Sequence, residues 1–138
     1  EFVCEWVQSL LKEGVSPHEI GIFVRSTNEV GRAKAAVNQL PVPYLVLDDK
    51  VETISTKIAI STMHLAKGLE FKAVVVMACD DEIIPSQERI ESITDNSDLE
   101  DVYNTERHLL YVACTRARER LLVTSVEPSS EFLEDLKV

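Results

Sequence analysis

The stretch Ile58-Ala-Ile-Ser-Thr62-Met-His64-Leu-Ala-Lys67-Gly68-Leu69-Glu70-Phe71-Lys-Ala73-Val-Val-Val-Met-Ala-Cys79 decides the fold. Ile58–Met63 and Ala73–Cys79 are rich in β-branched residues and read as strands, with a polar, glycine-containing loop between them. The second run is apolar at every position, so it has no face to give to water. A strand buried on both faces belongs to the middle of a sheet covered by helices on either side.

The neighbouring sequence supplies those helices. Upstream, Phe2, Val3, Trp6, Val7, Leu10 and Leu11 recur at three-four spacing as far as Lys12, and Gly14 can end that helix. Ile20–Val24 predicts a strand. Ser26-Thr-Asn28-Glu29 has the form of a capping box, ahead of a helical face made by Val30, Ala33, Val37 and Leu40. Pro41 and Pro43 stop this helix, and Tyr44–Leu47 predicts another strand. Downstream, Leu99, Val102, Tyr103, Leu110, Ala113, Cys114 and Ala117 mark a helix to about Arg118, with Leu121–Thr124 as the last strand. Ser129 or Ser130 can cap a final short helix holding Phe132, Leu133 and Leu136. Strands alternating with helices predict an α/β fold with a mostly parallel sheet flanked by helices.

Composition excludes several classes. The 138 residues amount to about one domain, with 45% apolar and 28% charged residues, as in a folded soluble chain. The longest apolar run has seven residues and no cationic leader precedes an apolar stretch, so the expectation is a cytoplasmic protein with no membrane partner. Cys4, Cys79 and Cys114 stand far apart in apolar surroundings and read as reduced core residues, with no metal site implied. The net charge of −10 argues against nucleic acid until it is resolved along the chain. Asp80 to Glu106 holds ten acids and one base, so this segment carries −9 and everything else −1. Such a run reads as a solvated loop, or as a docking surface for a basic protein partner.

Self-contained phosphoryl transfer has no support, because a phosphate loop needs G-x-x-x-x-G-K-[ST] and no Gly-Lys pair occurs. H-E-x-x-H and G-x-S-x-G are absent too. Two places remain for chemistry: the Thr62–Phe71 loop and Glu106-Arg-His-Leu-Leu-Tyr-Val-Ala-Cys-Thr115-Arg116-Ala117. In an open parallel sheet the loop leaves the carboxyl end of a strand, where ligands bind. Gly68 permits close backbone approach, His64 and Lys67 offer donors, and Glu70 can accept from a sugar hydroxyl.

These residues resemble a family. Thr62-Met-His64-Leu-Ala-Lys67-Gly68-Leu69-Glu70-Phe71 with its following apolar strand looks like motif V of superfamily 1 helicases of the UvrD/Rep/PcrA type, and Glu106–Ala117 looks like their motif VI. Ile20 to Arg25 with Asn28 resembles the segment that precedes both in the family. The resemblance implies that residues 1–138 are the second RecA-like motor domain, a three-layer fold. The first domain of the same polypeptide, with the phosphate loop and the Mg²⁺ ion, would complete an ATP cleft. By the same carry-over Arg116 reaches the γ-phosphate, Glu70 accepts from the ribose, and Gly68 brings backbone near the nucleotide. Single-stranded DNA would meet Arg25, Asn28, Thr62, His64 and Lys67. Phe132, in Pro128-Ser-Ser-Glu-Phe-Leu, resembles an aromatic that supports a base, although Glu131 replaces a basic residue of the family's pattern.

Two departures stand out. Only about a dozen residues separate Leu47 from Ile58, which leaves no room for the large subdomain that such helicases insert there, and Pro85 is followed by Ser86 rather than a polar aromatic or histidine. A non-catalytic alternative is a degenerate motor domain used for protein interaction through the acidic stretch. An exonuclease subunit sharing this motor would differ only outside these residues.

Overall fold

The computed structural model describes residues 2–47, 56–80, 83, 87–91, 96–125, 130 and 132–133. Among them, strands β1 (Ile20–Val24), β2 (Tyr44–Val46), β3 (Ile58–Thr62), β4 (Phe71–Val76) and β5 (Ala117–Val123) form one sheet in the order β2-β3-β1-β4-β5, every pair parallel. The helices are α1 (Phe2–Lys12), α2 (Val30–Val37), α3 (Gln87–Glu91) and α4 (Asn96–Cys114).

Side chains alternate across β1, so Ile20, Ile22 and Val24 enter one core while Phe23 enters the other. The first core takes Val3, Val7 and Leu10 of α1 and Ala33, Ala36 and Val37 of α2. The second takes Leu110, Ala113 and Cys114 of α4, with Phe71, Val74 and Val76 of β4. The result is the three-layer α/β arrangement expected, with β1 buried along its whole length.

Gly21 faces the second core, and a Cβ there would lie 2.5 Å from Cδ2 of the fully buried Phe71 ring. Phe71 is held edge-on by Phe23 at 6.0 Å and has no room to yield. Gly21→Ala is therefore expected to cost about 1–3 kcal/mol by overpacking; an unchanged urea midpoint would show that the ring can move. Ala78, just past β4, has φ 61°. That left-handed backbone costs a residue with a Cβ about 1–2 kcal/mol, more than the roughly 0.5–1 kcal/mol entropy cost of glycine. Ala78→Gly should accordingly raise the urea midpoint slightly, and a lowered midpoint would refute the strain.

Some boundaries differ from the sequence pattern. α4 stops at Cys114 rather than near Arg118, because side chains take one of its last carbonyls: Thr115 Oγ1 and Arg116 Nε both donate to Val112 O, at 2.9 and 3.1 Å. The sheet ladder then starts at once, with Phe71 N donating to Arg116 O at 2.9 Å, so β5 begins at Ala117 rather than Leu121. Its charged first half lies exposed at the sheet edge, where charge discourages pairing with another chain. The Ser26 side chain caps nothing; residues 27–29 form a 3-10 turn before α2. Ser16 and Glu19 make the contact instead, Ser16 N donating to Glu19 Oε1 at 3.1 Å. Ser130 Oγ accepts from Phe132 N at 3.2 Å as expected of a cap, while Leu136 lies outside the described residues.

The acidic stretch is only partly a loop: its later half belongs to α4, where Asp98, Glu100 and Asp101 are exposed but Glu106 is buried. Residues 81, 82, 84–86 and 92–95 lie outside the described set.

Candidate functional site

The connection from β3 to β4 passes β1, and because these strands are parallel it leaves one edge of the sheet and arrives at the other. Its two halves therefore serve different places. Thr62 and His64 stay at the carboxyl edge, beside Arg25 at the end of β1, whereas Gly68 and Glu70 are delivered to the amino edge, beside Arg116 at the start of β5. The loop leaves the carboxyl end of β3, as expected, but only its first half stays there.

At the amino edge Gly68 has φ 87° with open space where a Cβ would stand, so glycine is needed for the turn rather than for crowding. The turn aims the Leu69 carbonyl at Arg116 Nη1, 3.3 Å away. Arg116 is partly exposed. Its Nε donates to Val112 O and its Nη2 to Thr115 Oγ1 at 3.2 Å. A guanidinium has five N–H groups, and its contacts among the described residues use three, which leaves one on each Nη. Glu70 is exposed and lies 3.4 Å from Arg118 Nε. Arg120 is turned elsewhere, bidentate to Glu13.

The carboxyl edge holds a buried ion cluster. Arg25, 6% exposed, forms a fork on Glu106 with Nε–Oε1 2.7 Å and Nη2–Oε2 2.5 Å, and Arg89 Nη1 reaches Oε2 at 2.7 Å. Arg25 Nη1 stands 3.0 Å from His64 Nε2. The His64 imidazole is held below its usual pKa by partial desolvation and by the Arg25 charge, with Arg89 acting the same way and Glu106 opposing. Thr62 is half-buried; His64, Asn28 and Lys67 are exposed.

Two residues expected to touch a nucleic acid are buried in this structure. Arg25 is enclosed and committed to Glu106, so it organises this edge from inside rather than facing a ligand. Phe132 is 2% exposed, its ring packed against Tyr103 (5.9 Å, edge-on) and beneath the Arg107 guanidinium (4.8 Å). Glu106 is the residue whose role the sequence reading missed. The signal was present: it sits in register with Leu99, Val102, Tyr103, Leu110 and Ala113, an acid on an apolar stripe.

The cysteines are inert core groups. Burial pushes the Cys79 thiol far up and the Cys114 thiol up to about 11. Among the described residues no cluster of His, Cys, Asp and Glu could hold a metal ion, and no helix is long and apolar enough to cross a membrane.

Comparison with known proteins places this geometry. The UvrD-like helicase C-terminal domain model matches residues 45–128, which contain both the Thr62–Phe71 loop and the Arg116 turn. DNA helicase II of Rickettsia typhi is 32% identical over 132 residues, 91% of this chain and 19% of that protein. The ATP-dependent DNA helicase PcrA of Staphylococcus epidermidis is 35% identical over 92 residues (67% and 12%), and the ATP-dependent DNA helicase Rep of Buchnera aphidicola 36% over 80 (57% and 11%). The chain thus spans a fifth or less of the length of these relatives. A crystal structure of the C-terminal domain of a possible DNA helicase from Lactobacillus plantarum superposes with TM-score 0.64 at 22% identity, over 98% of this chain and 73% of that one, and shares the fold. With both candidate segments inside the matched span, the chain belongs to the UvrD-like helicase C-terminal domain family.

Proposed function

We propose that this domain is the second half of an ATP-dependent DNA translocase or helicase motor, closing on ATP held by the phosphate loop of a first motor domain. The observation that carries the reading is the convergence of Gly68, Glu70 and Arg116 on the amino edge, with two guanidinium N–H groups still available. A forked cation that never deprotonates suits the charge that develops on the γ-phosphoryl oxygens as the bond to the β-phosphate breaks. Glu70, now 3.4 Å from Arg118 Nε, would exchange that partner for a ribose hydroxyl of the nucleotide.

Asn28, Thr62, His64 and Lys67 would meet single-stranded DNA, three of them from the carboxyl edge. The two edges are joined by the Met63–Glu70 connection and by α4, which runs about 12 Å along its axis from Glu106 to its last residue Cys114, two residues before Arg116. Pulling Arg116 toward a phosphate would load the end of that helix, whose middle holds Arg25 through Glu106 and, through Arg25, His64.

The test is to join the chain to the domain carrying G-x-x-x-x-G-K-[ST] and measure ATP turnover with and without single-stranded DNA. Turnover stimulated by DNA is expected from the pair and none from this chain alone. A pair that hydrolyses ATP at the same rate without DNA would remove the coupling.

A further inference from the structure

The contact between Arg25 and His64 determines where the imidazole keeps its proton. A guanidinium can only donate, so the ring nitrogen 3.0 Å from Arg25 Nη1 must accept through its lone pair. Nε2 is then unprotonated, and the hydrogen of the neutral ring lies on Nδ1. An imidazolium would set N–H against N–H here. Arg25 cannot turn aside to permit that, because its other two nitrogens are forked on Glu106 in a buried site.

The other side of the ring is open. His64 is exposed, and Nδ1 has no hydrogen-bond partner among the described residues. The charged groups around the ring are Arg25 from the end of β1, Arg89 from α3 and Glu106 from α4. Two cations against one anion, together with partial desolvation, disfavour a positive ring.

We propose that Arg25 and Glu106 are positioning residues that lock His64 as the neutral Nδ1–H tautomer, so that this edge offers a nucleic-acid strand a fixed, uncharged donor. The assignment of a strand to this edge rests on the function proposed above; the tautomer does not. A neutral donor holds a phosphate or base acceptor in register without releasing a counterion, so it positions the strand without adding to salt-dependent affinity.

The first experiment is nitrogen NMR of the ¹⁵N-histidine-labelled chain, with His64 assigned through His64→Gln. At pH 7 the expected pattern is a protonated Nδ1 and an unprotonated Nε2, with a pKa below the usual imidazole value. The Nε2–H form, a solution-like tautomer mixture, or a ring still charged at pH 7 overturns the proposal whatever the domain binds. Arg25→Lys, which keeps a buried cation but loses the fork, should restore exchange between tautomers, and an unaltered pattern in this variant also overturns it.

The second experiment uses the joined two-domain protein and a single-stranded DNA oligonucleotide at several salt concentrations. His64→Ala should weaken binding by a similar factor at every salt concentration. A fall of about 0.7 in the slope of log K against log salt means a charged contact and overturns the neutral donor. Failure of the unsubstituted protein to bind DNA instead removes the strand from this edge and leaves the tautomer standing.

Discussion

Arg116→Ala is expected to lower the DNA-stimulated ATP turnover of the joined motor about 10³-fold or more, the scale seen when an arginine finger is removed. The argument is one of differential binding. The two Nη hydrogens left over from Val112, Leu69 and Thr115 have their strongest partner only when charge accumulates on the transferring phosphoryl group. The loss should therefore fall on kcat and kcat/KM together, with little change in KM. Arg116→Lys should be nearly as poor, since an ammonium is a point donor and cannot span two oxygens as the fork does. The substitution also removes contacts at the end of α4, at a cost of about 0.5–1.5 kcal/mol for each hydrogen bond lost. Urea unfolding can separate that modest effect from the catalytic one. Arg120→Ala is the control: its guanidinium is occupied by Glu13 in the turn after α1, and turnover should stay near that of the parent. An Arg116→Ala protein that keeps turnover within tenfold would take the nucleotide away from this edge.

The core of this fold was readable because its strands are apolar on both faces. Ile20–Val24 and Ala73–Val76 can only be buried, and a buried strand in an alternating pattern requires helices above and below it. The edge was harder. β5 opens with Arg118-Glu119-Arg120, which looks like the end of a charged helix until its ladder with β4 is known, because an edge strand has no partner demanding apolar side chains. The burial of Phe132 and that of Arg25 were hidden for different reasons. A lone aromatic after the last strand carries no sign of whether it packs or stacks, and an arginine following an apolar strand looks exposed when its buried acid lies 81 residues away. The division of the β3–β4 connection between two edges follows from strand order, which residue spacing does not contain.

That distant acid carries the largest expected loss of stability. Glu106 has no exposed surface and binds two arginines, of which Arg25 is enclosed with it and Arg89 is 40% exposed. Glu106→Ala leaves Arg25 as a buried cation without its counter-charge, at a cost of about 3–5 kcal/mol. Against a total of about 5–15 kcal/mol for a domain, this should move the urea midpoint sharply down. Arg89 behaves differently, since it can return to water, so Arg89→Ala should cost about 1 kcal/mol or less. The decisive comparison is the cycle with Arg25→Met. Removing the acid alone strands a charge, whereas Arg25→Met with Glu106→Leu removes both charges and fills the space with apolar atoms, so the double variant should regain at least half of the loss. Recovery of this kind would mean that the pair contributes position rather than net stability: it joins the end of β1 to α4 and fixes the orientation of His64. A Glu106→Ala chain within 1 kcal/mol of the parent would mean that Arg25 reaches solvent after all, and the carboxyl edge would then present a mobile guanidinium in place of an oriented imidazole.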